Sequence, residues 1–394
     1  MTFFHKGELK ILWPFYLDVI ISRILHFAPA FMIIYFLNLG FSFTQLGLLL
    51  AIIPITALIF EIPTGAIADL YGRKFSVLLG YLFEGIGFLI LFFVTDFTAI
   101  VVAYVVIGIA STLSSGAKEA WVIELLKNKP AELTHNFFSH TQVLESLALI
   151  ISGILGAIIV SIFNLQIIWL FAFLSFIISI IVLLFSKEHF VKHKKQIKYS
   201  IRHQSKKTFN YCCNNHRLRF YLAASFLVAL AGAFSSTLTW TPLMKSFNFP
   251  DFAFGYLWSA LSFVLMIAPL FSKKFLKQNN ERKFMIFGLA LSALSACIII
   301  FAWTWQIALG LILLLEMFLM MRTPASRMYF HRYLPNNLRA TAGSIKAILV
   351  AIASAISLVL AGLIIDIVGP TYSLFLFAPI MILAIWFLTR IKKD

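Results

Sequence analysis

An all-α integral membrane protein is the fold class this sequence predicts, and three observations predict it. The 394 residues are 61% hydrophobic and only 12% charged, with a mean hydropathy of +0.94. A water-soluble domain is about half apolar and about a quarter charged, so lipid must solvate much of this chain. Leu, Ile, Val and Phe run on for about 20 residues at a time, the length of a helix crossing a bilayer. A transmembrane barrel would instead show short segments of alternating polarity. Finally, the basic residues gather in alternate connections between the apolar runs.

A window of about 19 residues resolves twelve candidate spans. The first six cover residues 11–37, 45–66, 75–94, 98–118, 137–163 and 166–185. The second six cover residues 218–244, 252–271, 284–303, 305–324, 338–364 and 371–389. No short apolar region with a small-residue cleavage site opens the chain, so the first run reads as a retained span. Residues 186–217 form the longest stretch without an apolar run. They divide the chain into a six-helix bundle over 1–185, a basic linker over 186–217 and a second six-helix bundle over 218–394. The halves share punctuation. "RKF" opens the third span at Arg73 and the ninth at Arg282, while "KPAEL" precedes the fifth span and "LPNNL" the eleventh. Matching halves point to a repeat facing a central cavity.

Charge sets the orientation. With both termini on the side of the linker, 27 of the 32 Lys and Arg residues fall in or beside that side's segments, ten of them in 187–219. Lys245 alone falls in an opposite loop. The basic side reads as cytoplasmic, with the chain crossing a bacterial inner membrane many times and both termini inside. This placement accounts for most of the net charge of +16. The basic run "KHKKQIKYSIRHQSKK" belongs to no nucleic-acid-binding motif and reads as a topogenic, lipid-facing linker. Three cysteines give no disulfide framework, and Cys212-Cys213 with His203 and His216 match no zinc spacing. No metal or cofactor is expected.

Charge is otherwise rare, yet residues 65–74, "GAIADLYGRK", hold an acid, two bases and two glycines between the second and third spans. Gly65 and Gly72 suit a tight turn. Asp69 suits a cap on the following helix. Arg73 and Lys74 suit the anionic membrane face. The spacing G-x-x-x-D-x-x-G-R-K at this place resembles the signature loop of the major facilitator superfamily. "EIPTG" before it, "GAKEAWVIELL" at 116–126 and "LPNNLRATAGS" at 334–344 are similar to a bacterial exporter and permease branch. The resemblance implies two six-helix bundles around a central cavity, alternating access and a functional monomer. It implies that Asp69 meets the end of span eleven. It also implies that Arg73 pairs with Glu124 or Glu119, so that Gly65, Asp69, Gly72, Arg73, Lys74, Glu119 and Glu124 form a latch on one conformation. The fourth span lacks the Arg, and the fifth the Gly-Pro pair, that drug–proton antiporters of the family often carry.

Ionisable groups at membrane depth cost about 2.5–3.5 kcal/mol on insertion scales unless paired or wetted, which makes them functional candidates. They are Asp18, Arg23 and His26 in span one, Glu61 in span two, Glu84 in span three, Glu145 in span five and Glu316 in span ten. Spans one, four, seven and ten line the cavity in the family, which favours Asp18, Arg23, His26 and Glu316 for cargo or protons. Asp18 and Arg23 lie five apart, about 140° round the helix, so they pair poorly within it, and Asp18 is expected to be freer to take up a proton than a paired acid if its neighbours are apolar. Glu84, in "GYLFEGIG", is expected to make a structural hydrogen bond, the glycines allowing close packing. Trp240 lies near the outer end of span seven, as a gate or an interfacial anchor. Gln142, Glu145, Ser146, Ser152, Gly153 and Gly156 form a small and polar stripe in span five.

These features predict a secondary transporter of a small organic molecule, working by alternating access with proton-coupled efflux. The alternative is an uptake permease for a small anionic metabolite, bound by Arg23 and His26. No nucleotide-binding loop suggests ATP drive, and no Ser/His/Asp grouping or His/Glu metal pair suggests an enzyme.

Overall fold

Helices account for nearly every described residue, and no strand occurs among them. The structure is a computed structural model describing residues 4, 7–188, 198–277, 279–335 and 338–391. Residues 189–197 of the expected linker, with Lys195, and residues 392–394 lie outside the described residues. The helices are α1 Glu8–Ile24, α2 Ala28–Asn38, α3 Phe43–Tyr71, α4 Arg73–Phe93, α5 Phe97–Leu126, α6 Ala131–Ile162, α7 Ile167–Leu184 and α8 Lys198–Asn214. They continue with α9 His216–Ala231, α10 Thr237–Ser246, α11 Phe254–Phe275, α12 Glu281–Ile299, α13 Trp305–Met321, α14 Thr323–Arg332, α15 Arg339–Phe375 and α16 Phe377–Thr389. Among the described residues, eleven stretches are long and apolar enough to cross a bilayer, and α16 is a shorter apolar helix.

The expected twelfth span exists in two pieces. Gly369 takes φ 81° inside α15 and Pro370 follows it, which bends the chain where only glycine is unstrained. The stretch after this kink runs on into α16 with only Leu376 between. Spans one, seven and ten are also broken. Pro29 lies in the first turn of α2, where a missing N–H costs nothing. A 3-10 turn over Gly232–Ser235 separates α9 from α10, whose first turn is capped by the Ser236 hydroxyl accepting from Leu238 N at 3.3 Å. Arg322 and Pro324 mark the break between α13 and α14. Span four is continuous, and as α5 it runs to Leu126, eight residues past its expected end at 118.

The chain divides into two compact units. The first gathers residues 1–40, 52–194 and 250–262; the second gathers 41–51, 195–249 and 263–394. Each therefore includes a short piece of the other expected half. In the first unit, the start of α11 packs on α6: Ser259 Oγ donates to Ile150 O at 2.7 Å. Gly153 and Gly255 face each other there so closely that a Cβ on either would strike backbone of the other helix. Gly156 in turn faces the rings of Phe27 and Phe31. In the second unit, the first turn of α3 is capped by Asp366 of α15. Its carboxylate accepts from Phe43 N at 3.0 Å, Thr44 N at 2.8 Å and Thr44 Oγ1 at 2.6 Å. A carboxylate at a helix N-terminus satisfies orphan N–H groups and complements the helix dipole.

The repeated "RKF" has a physical use in each unit. Lys74 Nζ donates to Leu184 O and Ser186 O, both at 2.7 Å, closing the end of α7. Arg282 donates to Ile391 O at 2.5 Å and Thr389 O at 3.3 Å, closing the end of α16. A cation at a helix C-terminus satisfies its last carbonyls. Lys74 is thus a helix-end tie.

Candidate functional site

The signature stretch is mostly helical. Gly65 and Asp69 lie inside α3, and only Gly72, at φ 108°, makes the turn into α4. Gly65 is therefore not a turn residue, and a Cβ on it would meet nothing within 4 Å. Asp69 does not cap α4. Its carboxylate pairs instead with Arg73 at 2.6 Å, one helical turn on. The acceptor for Lys74 N is Glu188, at 2.9 Å, a residue beyond the apolar runs and outside every motif. Arg73 Nε also reaches Glu124 at 3.4 Å, which selects Glu124 over Glu119. Arg73 thus ties α3 to α5, with its side chain 19% exposed between two carboxylates.

Glu119 belongs elsewhere. It lines a cavity of about 390 Å³ within the first unit, together with Ser22, Arg23, His26, Tyr81, Glu84, Ser114, Lys118 and Glu145. A cavity of similar volume in the second unit is almost wholly apolar and lacks such a cluster, so the chemistry lies in the polar one. Lys118 of α5 forms an ion pair with Asp18 of α1, whose carboxylate is fully buried. Tyr81 of α4 completes a triangle: its hydroxyl donates to Asp18 Oδ2 at 3.3 Å and lies 3.3 Å from Lys118 Nζ. Arg23 pairs with Glu145 of α6 at 2.5 Å, both about half exposed. Ser114 Oγ donates to Glu84 Oε1 at 3.0 Å, the structural bond expected of Glu84. Glu84 is nonetheless also a wall of the cavity, and no cation lies within 4 Å of it among the described residues. His26 stands edge-on to Phe88, ring centroids 4.8 Å apart, and to Phe176 at 5.8 Å.

The expectation that Asp18 is freer to take up a proton assumed apolar neighbours, and the neighbour the structure supplies is a cation. Intrahelical geometry does keep it from Arg23, but α5 supplies Lys118 across the bundle. Lys118 was missed because a charged residue ends a hydropathy window, which placed it at the edge of span four. The structure places it inside a 30-residue helix, where its buried partner on α1 makes it a candidate. Tyr81 carried no signal, since a tyrosine among apolar residues is ordinary.

Four of the predicted cargo or proton residues do not line this cavity: Asp18, fully buried against Lys118, and Glu61, Trp240 and Glu316. Glu61 is exposed on α3. Trp240 is 7% exposed in α10, which argues against an interfacial anchor. Glu316 is 6% exposed in α13, and its Oε1 has no hydrogen-bond partner among the described residues.

Comparison with known proteins gives the class. A family model described as Major Facilitator Superfamily matches residues 12–280. The chain belongs to this superfamily, and its fold is the superfamily's fold. It is 24% identical over 267 residues to "Uncharacterized MFS-type transporter YxaM" of Bacillus subtilis (strain 168), covering 66% of this chain and 64% of that one. It is 28% identical over 227 residues to "Uncharacterized transporter BU466" of Buchnera aphidicola subsp. Acyrthosiphon pisum (strain APS), covering 57% and 54%. The matched region thus spans under two thirds of either relative. Among solved structures, the nucleoside transporter NupG aligns with a TM-score of 0.80 at 13% identity, covering 99% of this chain and all of that one. A POT family transporter in complex with 5-aminolevulinic acid aligns at 0.77 and 16% identity, covering 97% and 96%. These two likenesses concern the fold alone.

Proposed function

We infer that this protein is a secondary transporter of a small organic molecule, driven by protons and working by alternating access between two six-helix bundles, 1–185 and 218–394. One observation carries the reading: Glu84, a buried carboxyl with a serine hydroxyl as its hydrogen-bond donor, shares a polar cavity with the Arg23–Glu145 pair and with Lys118, whose ion-pair partner is the buried Asp18. Such a group costs the fold stability unless it works, and taking up and releasing a proton is work a lone buried carboxyl does. Asp18–Lys118 and Arg23–Glu145 beside it are pairs that a proton arriving on an acid would loosen. Transport rather than catalysis suits a site with no activated nucleophile. Superfamily membership supports it further. The basic segments support an inner-membrane orientation with cytoplasmic termini. Efflux is the direction the signature branch suggests. Uptake of an anionic metabolite is the second reading, favoured by two cations of the second unit, Arg322 and Lys346.

The test uses liposomes holding the full chain and a pH-sensitive dye. The panel of cargoes is lipophilic cations, siderophore-like chelates and small organic anions. Glu84→Gln is expected to abolish accumulation driven by a pH gradient while downhill exchange of the same cargo continues. If the variant still concentrates cargo, Glu84 is not the coupling group and Glu316 or Glu145 takes its place.

The Asp69–Arg73–Glu124 cluster is read as the latch. Replacing Arg73 with Ala removes both ion pairs at the edge of the bundle, so expression should hold. Flux should fall about tenfold or more if the cluster stabilises one conformation by about 1.4 kcal/mol over the other. Equal flux in wild type and variant reduces the cluster to a topogenic turn.

A further inference from the structure

We propose that the second unit holds an anionic phospholipid, with an acyl chain in its apolar cavity and the phosphate on Arg219. The site lies apart from the polar cavity of the first unit and does not depend on the transport reading. The cavity has a volume of about 380 Å³ and lies among α8, α9, α15 and α16. Phe209 and Cys213 of α8, Leu222 and Phe226 of α9, Leu349 of α15 and Phe387 of α16 form its walls. Phe209 lines it while remaining 53% exposed, so the cavity opens to the outside of the unit. Among the described residues, Arg219 is the one charged residue on its wall. The ring centroids of Phe220 and Phe387 lie 5.7 Å apart, which sets the start of α9 beside the end of α16. Arg219 and Arg390 therefore share one edge of the unit, and Lys206 lies one turn before Phe209 on α8.

Shape and charge together select the occupant. Water gains nothing in an apolar cavity that offers it no hydrogen bonds. This one opens beside membrane spans, where acyl chains are the apolar molecules at hand. Its edge is basic without compensation. The three described acids of the second unit are used elsewhere: Glu281 pairs with Arg332 at 3.2 Å, Asp366 caps α3 and Glu316 is buried in α13. Lys206, Arg219 and Arg390 are exposed, and among the described residues none has a carboxylate within 4 Å. The Arg219 guanidinium lies 5.6 Å from the centre of the Phe220 ring, a contact that leaves its N–H groups unspent. Their fork geometry matches the oxygens of a phosphate. A basic edge beside a cavity between spans is the arrangement that seats an anionic headgroup. A zwitterionic lipid would bring its own cation to these bases. A free phosphate would leave the apolar cavity unused, and an organic cation would be repelled by the edge.

The test reads binding without flux. The full chain, delipidated in detergent, is offered phosphatidylglycerol or phosphatidylcholine with the same palmitoyl and oleoyl chains. Native mass spectrometry measures the lipid retained, and peptide mass spectrometry follows maleimide labelling of Cys213 on the cavity wall. Phosphatidylglycerol should be retained about tenfold better than phosphatidylcholine, and it should slow the labelling. Glycerol phosphate, a headgroup without chains, should not slow it. Arg219→Gln should cut the preference about fivefold, the worth of one base near an anionic lipid surface, and Arg219→Lys should keep most of it. Ala223→Phe and Leu227→Trp each fill the cavity from α9 and should lower retention of phosphatidylglycerol about tenfold. The proposal is overturned if the wild type holds both lipids equally, if Arg219→Gln keeps the full preference, or if a folded filled variant retains phosphatidylglycerol as the wild type does. Equal protection of Cys213 by tetraphenylphosphonium, an apolar cation, would make the cavity a cargo site and overturn it as well.

Discussion

Replacing Asp18 with Asn is expected to lower the thermal unfolding midpoint of the solubilised protein more than any surface substitution, and to stop transport. The carboxylate is fully buried and paired with Lys118, with Tyr81 completing the group. Removing one partner leaves the ammonium of Lys118, whose side chain is only 21% exposed, without its counter-charge. Breaking a buried pair in this way costs about 3–5 kcal/mol. Lys118→Met should destabilise similarly, by stranding Asp18. The double variant should recover much of the loss, because two neutral groups need no pairing. Recovered stability without recovered flux would mark the pair as working machinery. Recovered stability with full flux would make it structural, and additive losses in the double variant would show that the two side chains do not interact.

A second large effect is expected at the crossing of α6 and α11. Gly255→Val places a side chain where even a Cβ would meet Gly153 O and the backbone N of Ala157. Backbone cannot move aside as a flexible side chain can, so the helices must part. Overpacking of this kind costs about 1–3 kcal/mol. If alternating access opens this crossing, the cost falls only on the state in which it is closed. A bias of about 1.4 kcal/mol then shifts the two populations about tenfold. Cysteines introduced at Ile150 and Ser259, whose atoms now lie in contact, should label faster with a water-soluble maleimide in the Gly255→Val background. Unchanged labelling with unchanged flux would mean that the crossing stays shut throughout the cycle. Gly255→Ala is the milder companion should the Val variant fail to fold.

Both effects depend on partners brought from distant parts of the chain, and this is where sequence reading stopped short. Asp18 was visible as an acid at membrane depth, and its helical angle to Arg23 correctly separated the two. That Lys118 lies opposite was not visible, because α1 and α5 meet only through the packing of the bundle. Glu145 was visible as a member of a polar stripe in span five, but its partner Arg23 was not assigned. The signature stretch was legible as a motif, and its likeness to a family implied an acid for Arg73 at the end of span four, but the choice of Glu124 over Glu119 came from the structure. Its local geometry was misread: a glycine and an acid inside a helix have the same letters as a glycine and an acid in a turn, and Glu188 rather than Asp69 meets the first turn of α4.

Composition, hydropathy and charge asymmetry alone determined that this is a helical membrane protein, where most of its spans lie and where its ionisable residues interrupt them. Those properties are local: burying about 20 apolar residues in lipid and satisfying every backbone group within one helix needs no distant partner. The tertiary structure decided which acid meets which base, which glycines let two helices touch, and which cations face a tyrosine in place of a carboxylate. Those outcomes depend on distances of a few ångströms between side chains far apart in sequence. One chain read in order carries the identity of each charge at membrane depth, but its counter-charge is fixed only when the helices pack.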